Sequence, residues 1–171
     1  KIRLRDGEAL HCEVLSVHDG GILRDCLPNN PDLFQLNALA ERFSKLTGTE
    51  QTALNGLVRT ENEKGFGVVP IPRLIDLAYS ADCCDVRSGI HTDAELGQFY
   101  VENGIIPALK GLASEAIEFL DFAKIGRQTR EGEGGVFADC SYVTQVSDLR
   151  EVSSSLDLEP KPPDYAILLE L

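Results

Sequence analysis

Three short polar stretches constrain what this chain can fold into. Asn30-Pro31-Asp32, Thr47-Gly48-Thr49-Glu50 and Thr92-Asp93-Ala94-Glu95 each place hydrogen-bond acceptors just ahead of apolar residues at helical spacing. Such side chains satisfy the backbone N–H groups that the first turn of a helix leaves unpaired, and the last two stretches have the Thr-x-x-Glu spacing in which cap and third residue serve each other. The spacing predicts a helix from about 31 to 46 carrying Leu36, Leu39, Ala40 and Phe43, with Asn30 as cap. A second runs from Thr47 to about Thr60 and a third opens at Pro70-Ile71-Pro72. A fourth starts at Thr92, turns Leu96, Phe99 and Tyr100 inward and stops near Gly104. Ser114 is expected to cap a further helix that buries Ala116, Phe119 and Leu120.

Strand signals flank these helices. Residues 1–26 alternate apolar and polar side chains around Asp6-Gly7, which reads as a hairpin with a third short strand over Ile22 to Cys26. Gly132-Glu133-Gly134-Gly135 reads as a turn before a strand from about 136 to 146. The polar, proline-bearing stretch from Ser147 has linker composition, and PDYAILLEL reads as a C-terminal strand able to pair with an edge of one of the sheets. The class is α+β: a small antiparallel sheet unit over 1–32, a central helical unit over 33–91, a second small α+β unit over 92–146, and a linker with C-terminal strand over 147–171.

With 43% apolar and 26% charged residues the chain has the means to bury a core. It has no apolar run of the roughly 18 to 20 residues that spans a bilayer and its first residues lack a signal-peptide core, so a cytoplasmic location is expected. Charge is unevenly spread. Residues 76–171 hold eighteen Asp and Glu against seven Lys and Arg, a net of −11 out of the chain's −12. Such a field repels nucleic acid and anionic membrane and attracts basic surfaces.

Several chemistries find little support. Cys83 and Cys84 are adjacent, which suits neither zinc coordination nor, between Asp82 and Asp85, a stabilised thiolate; they read as core residues ending the third helix, with the two aspartates on the acidic surface. His11, Cys12, His18 and Cys26 lack paired ligand spacing, and His91 belongs to no catalytic motif. Glu131 and Glu133 would repel a phosphate from the neighbouring glycines. Lys124, Arg127 and Arg130 share roughly one helical face, where internal ion pairing is the plain expectation. No cofactor, metal or catalytic residue is expected. What remains is the spacing of the acids: Glu95 and Glu102 seven apart on one helix, then Glu115, Glu118 and Asp121 at every third position of the next. With a rise of about 1.5 Å per residue these rows resemble, coarsely, the phosphate ladder of a DNA strand.

Three segments together resemble a known family. LNALAERFSKLTGTEQTAL (36–54), DAELGQFYVENG (93–104) and FLDFAKIGRQTREGEGGVF (119–137) are similar to the ArdA antirestriction proteins of conjugative plasmids and transposons, with Tyr100-Val101-Glu102, Phe119, Asp121-Phe122 and Gly126-Arg127 in the family's order. The resemblance implies an elongated homodimer with no enzymatic activity that mimics DNA and occupies the DNA-binding groove of type I restriction-modification enzymes. On that reading Asp93, Glu95, Glu102, Glu115, Glu118, Asp121, Glu131 and Glu133 stand in for phosphates, and neither nucleic acid nor membrane is bound directly. The alternative is an acidic interaction module of a mobile genetic element with some other basic partner.

Overall fold

The structure is a computed structural model that describes residues 23–28, 31–65 and 68–156. The expected N-terminal hairpin and the expected C-terminal strand lie outside these residues, and of the third short strand expected over Ile22 to Cys26 only residues 23–26 are described. Four helices come first: α1 (Leu23–Cys26), α2 (Leu33–Phe43), α3 (Gly48–Lys64) and α4 (Ile71–Tyr79). A 3₁₀ turn (Ala81–Cys83) leads into strand β1 (Cys84–Ser88). Helix α5 (Asp93–Glu102), a 3₁₀ turn (Pro107–Leu109), the single turn α6 (Ser114–Ile117) and α7 (Phe122–Glu133) follow, and strands β2 (Val136–Ala138) and β3 (Ser141–Gln145) complete an α+β fold. No helix among the described residues is long and apolar enough to cross a membrane.

The caps act as their chemistry dictates. Thr47 with Glu50 and Thr92 with Glu95 form reciprocal capping boxes. At α2 the cap is Asp32 rather than Asn30: its carboxylate accepts from the N–H of Phe34 at 2.9 Å and of Gln35 at 3.0 Å, so the helix begins at Leu33; it ends at Phe43, short of the expected 46, with Ser44 as its C-cap. Helix α3 runs on past Thr60 to Lys64. Residues 23–26 form a helical turn where a strand is expected, because Leu23 and Cys26, three apart, both face the core, which helical spacing allows and strand alternation forbids.

The sheet has the order β1-β3-β2, antiparallel throughout. Three of its features depart from expectation. Cys84 starts a strand instead of ending a helix; β1 pairs with β3 from Cys84 opposite Gln145 to Ser88 opposite Ser141, joining the segments on either side of the 91/92 boundary. The strand expected over 136–146 is a hairpin, turned at Asp139 and Cys140 with φ of 48° and 54°, the two left-handed residues of a type I′ turn. Gly132 and Glu133 are helical, and the turn proper is Gly134 (φ 65°) capping α7 and Gly135 beside the Tyr142 hydroxyl.

Central strand β3 is buried from Ser141 to Thr144 and serves two cores. Val86, Val143 and Val136 lie in register and pack toward α3, where Gly56 leaves room: a Cβ there would come within 2.7 Å of Val143. On the opposite face Tyr142 packs with Ile90, Leu96 and Tyr100. Helix α3 thus lies on one side of the sheet, with α4 and α2 joining it in the core around Leu54, Leu74, Ile75 and Leu77, and α5, against which α7 packs, lies on the other.

Helices α5 and α7 touch through backbone. A Cβ on Gly97 would overlap the carbonyl of Phe122, and one on Gly126 would overlap that of Asp93. Residues 147–156, expected to be a linker, are instead strapped to α4: buried Asp76 accepts from Val152 N–H at 2.8 Å, Ser153 N–H at 2.7 Å and the Ser153 hydroxyl at 3.0 Å. A buried carboxylate without such donors is costly, which ties the two segments together.

Two outcomes are expected. Gly126→Ala lowers the urea-unfolding free energy by about 3 kcal/mol because backbone, not a yielding side chain, blocks the methyl, whereas Gly132→Ala, with nothing within 4 Å of its Cβ, raises it by roughly 0.5–1 kcal/mol. Asp76→Ala frees the strap, so limited proteolysis cuts residues 147–156 faster than in the parent chain while α3 stays protected.

Candidate acidic interaction surface

Local structure divides the eight proposed phosphate surrogates into two groups of four. Asp93 opens α5 and faces α7, where Arg130 Nε lies 2.8 Å and Arg127 Nε 3.7 Å from its carboxylate. The hydrogen bond from Arg130, aided by both guanidinium charges, holds Asp93 below its ordinary pKa of 3.8. Glu95 folds back onto its helix start, accepting from the N–H of His91 at 2.9 Å and of Thr92 at 3.1 Å, and these bonds keep its pKa low. Asp121 caps α7 by accepting from Lys124 N–H at 3.0 Å. Glu133, at the end of α7, accepts from the Tyr100 hydroxyl at 2.7 Å and the Tyr142 hydroxyl at 2.9 Å. Burial first, and Glu133 second, push the Tyr100 phenol up to about 12 and raise that of Tyr142 as well.

The other four, Glu102, Glu115, Glu118 and Glu131, are exposed and form no ion pair among the described residues; Glu102 accepts only from Gln98 at 2.7 Å. They do not form the expected ladder. The helix from Ser114 is a single turn ending at Ile117, so Glu118 follows it and Asp121 begins the next helix. Ala116 is exposed and Phe119 is 87% exposed, contrary to the expectation that both are buried. The apolar residues of this stretch are too few and too closely followed by the Asp121 cap to seat a longer helix on the core.

Two other acids of the negative half are paired in place. Asp82 pairs with Arg150 at 2.7 Å and Asp85 with Arg87 at 2.8 Å. Arg87 also lies 5.1 Å above the rings of both Phe99 and Tyr100, and its Nη1 is buried without a partner among the described residues. The Arg127 and Arg130 pairing expected of the basic cluster is present, while Lys124 makes no ion pair among the described residues. Cys83 is buried, and burial, with Cys83 and Asp82 adding to it, pushes the Cys84 thiol up to about 12, far from a thiolate at neutral pH. Among the described residues no cluster of three His, Cys, Asp or Glu could hold a metal ion.

The sequence pointed to the acids and to ion pairing by the basic cluster, but not to Asp93 as the carboxylate that Arg127 and Arg130 share. Sequence reasoning also missed Arg87 and the Tyr100–Glu133–Tyr142 junction, whose members are far apart in the chain; the alternation of Cys84 and Val86 with Asp85 and Arg87 was the one local sign of β1. Comparison of the chain with models of protein families, with curated proteins and with solved structures finds no match.

The lowered Asp93 pKa sets a pH dependence. A carboxyl whose folded pKa lies below its unfolded value contributes stability above the unfolded value, near 3.9, and loses it as pH falls through the folded one. Arg130→Gln is therefore expected to move the Asp93 carboxyl titration, followed by NMR, up toward 3.8 and to make the loss of stability on acidification shallower.

Proposed function

We propose that the chain is an antirestriction protein: a non-catalytic acidic mimic of DNA that occupies the DNA-binding groove of a type I restriction-modification enzyme in the cytoplasm. The observation that carries this reading is the charge of residues 76–171, eighteen acids against seven bases, together with four exposed carboxylates, Glu102, Glu115, Glu118 and Glu131, that have no cation to neutralise them among the described residues. The resemblance of residues 36–54, 93–104 and 119–137 to ArdA proteins adds the identity of the target. Asp93, Glu95, Asp121 and Glu133 contribute to the field while holding the scaffold that displays the other four.

A two-fold pair of chains would carry −24, the charge of about 12 base pairs at one phosphate per 1.7 Å of duplex axis. A folded mimic also avoids the elastic cost of bending DNA, about 1 to 6 kcal/mol, if its target bends the duplex. The basic groove of the enzyme exchanges its counterions for carboxylates, so binding must weaken as salt rises.

With a purified type I restriction-modification enzyme, the dissociation constant is expected to rise steeply between low and physiological salt. Joint reversal of Glu102, Glu115, Glu118 and Glu131 to Lys should weaken binding at least tenfold without changing the circular dichroism of the chain. Binding that ignores both salt and the four reversals refutes the reading. Salt-sensitive capture of a different basic protein, with none of the enzyme, favours instead an interaction module of a mobile genetic element.

A further inference from the structure

Phe119 is 87% exposed, the most exposed large apolar side chain among the described residues. Leu120, the next residue, lines an apolar groove with Ile106, Leu109 and Ile125, so apolar cover begins one position away and Phe119 takes no share in it. A single exposed apolar residue is ordinary and calls for no explanation by itself. This ring is set apart by the charges beside it.

Glu115 and Glu118 precede it, both exposed and without an ion pair among the described residues. Glu115 belongs to α6, and Glu118 is the C-cap of that turn with φ −64° and ψ −20°, still right-handed helical. Side chains three apart on such a turn have Cβ atoms about 5–6 Å from each other, and the ring follows directly. Lys124 lines the groove and pairs with neither glutamate. Two anions on one turn with a flat apolar ring next to them have the parts of a nucleotide step, phosphate and base, displayed on a single surface. A stacked duplex never shows that combination, because its bases face inward. It appears where a base has been swung out.

We infer that Phe119 stands in for a flipped base: the ring enters the pocket in which the restriction-modification enzyme holds the base it modifies, and Glu115 and Glu118 take the phosphate sites beside that pocket. An enzyme that alters a base within a duplex extrudes it and stacks it between aromatic or apolar side chains, with the strand on either side held by basic groups. An apolar slot with a basic rim complements an acid-flanked ring in both charge and shape. DNA must break stacking and pairing to present its base, whereas Phe119 is outside the fold already and has no such cost. The inference rests on the proposed function and adds to it the part of the enzyme that is met.

Replacement of the ring tests this, with affinity for a purified type I restriction-modification enzyme as the readout and circular dichroism unchanged at so exposed a position. Phe119→Ser should weaken binding at least tenfold, and by the same factor at low and at physiological salt, because apolar contact is not screened. The loss caused by reversing Glu102, Glu115, Glu118 and Glu131 should shrink as salt rises. Phe119→Leu should weaken binding nearly as much as Phe119→Ser, while Phe119→Trp keeps the affinity, since the slot takes flat π faces. The chain contains no tryptophan, so 7-azatryptophan incorporated into the Phe119→Trp chain reports on position 119 alone, and its emission should shift to the blue when enzyme is added. A parent chain that ignores the enzyme removes the proposed function and the inference together. Salt-dependent binding that is indifferent to Phe119→Ser, or equally strong with leucine, leaves the mimic standing and overturns the inference. So does a change on Phe119→Ser in the sedimentation or protease cleavage of the free chain, which assigns the ring to a second copy or to the chain's own end at Asp164-Tyr165.

Discussion

Two glycines meeting across α5 and α7 set the geometry on which the acidic half depends. Gly97 lies against the Phe122 carbonyl and Gly126 against that of Asp93, each glycine facing the carbonyl four residues before the other. Backbone contact of this kind leaves no slack in rotation or register. It brings Arg127 and Arg130 to Asp93, and it sets the end of α7 where Glu133 reaches Tyr100 and Tyr142. In Gly126-Arg127 the glycine permits the crossing and the arginine helps neutralise the carboxylate at its edge.

The sheet then couples this helical pair to the rest of the chain. Strand β3 turns Val143 toward α3 and Tyr142 toward α5, so one strand belongs to two cores. Polar side chains secure the margins. Glu133, placed at a helix end where the dipole disfavours an anion, is compensated by two phenol donors. Asp76, buried at 7% exposure, is compensated by three donors from the strap, which makes residues 147–156 part of the α4 layer. Carboxylates at Asp76, Asp93 and Glu133 are therefore structural before they are electrostatic.

That division bears on the proposed mimicry. A duplex displays every charge outward at regular intervals, whereas this chain commits about half of the candidate carboxylates to caps and internal partners and breaks the remainder between α5, the α6 turn and α7. Its negative surface is patchier than DNA, and apolar side chains such as Phe119 interrupt it. A partner that reads such a surface gains from shape and apolar contact as well as from charge, which a phosphate backbone does not offer in the same form.

Local chemistry alone determined two helix starts. A cap bonds to N–H groups two or three residues ahead, so the Thr47 and Glu50 pair and the Thr92 and Glu95 pair carry their own evidence in the chain, whereas Asn30-Pro31-Asp32 offered two acceptors and the structure selects Asp32. The α+β class and the charge asymmetry were legible for the same reason, since they need no distant partner. Tertiary structure decided the remainder. Whether Asp93 faces solvent depends on an arginine 37 residues away, and whether Cys84 starts a strand depends on β3, which follows α5 and α7. Residues 114–120 have apolar spacing suited to a helix, yet that spacing cannot tell whether a core lies within reach; only the packing shows that Phe119 has none.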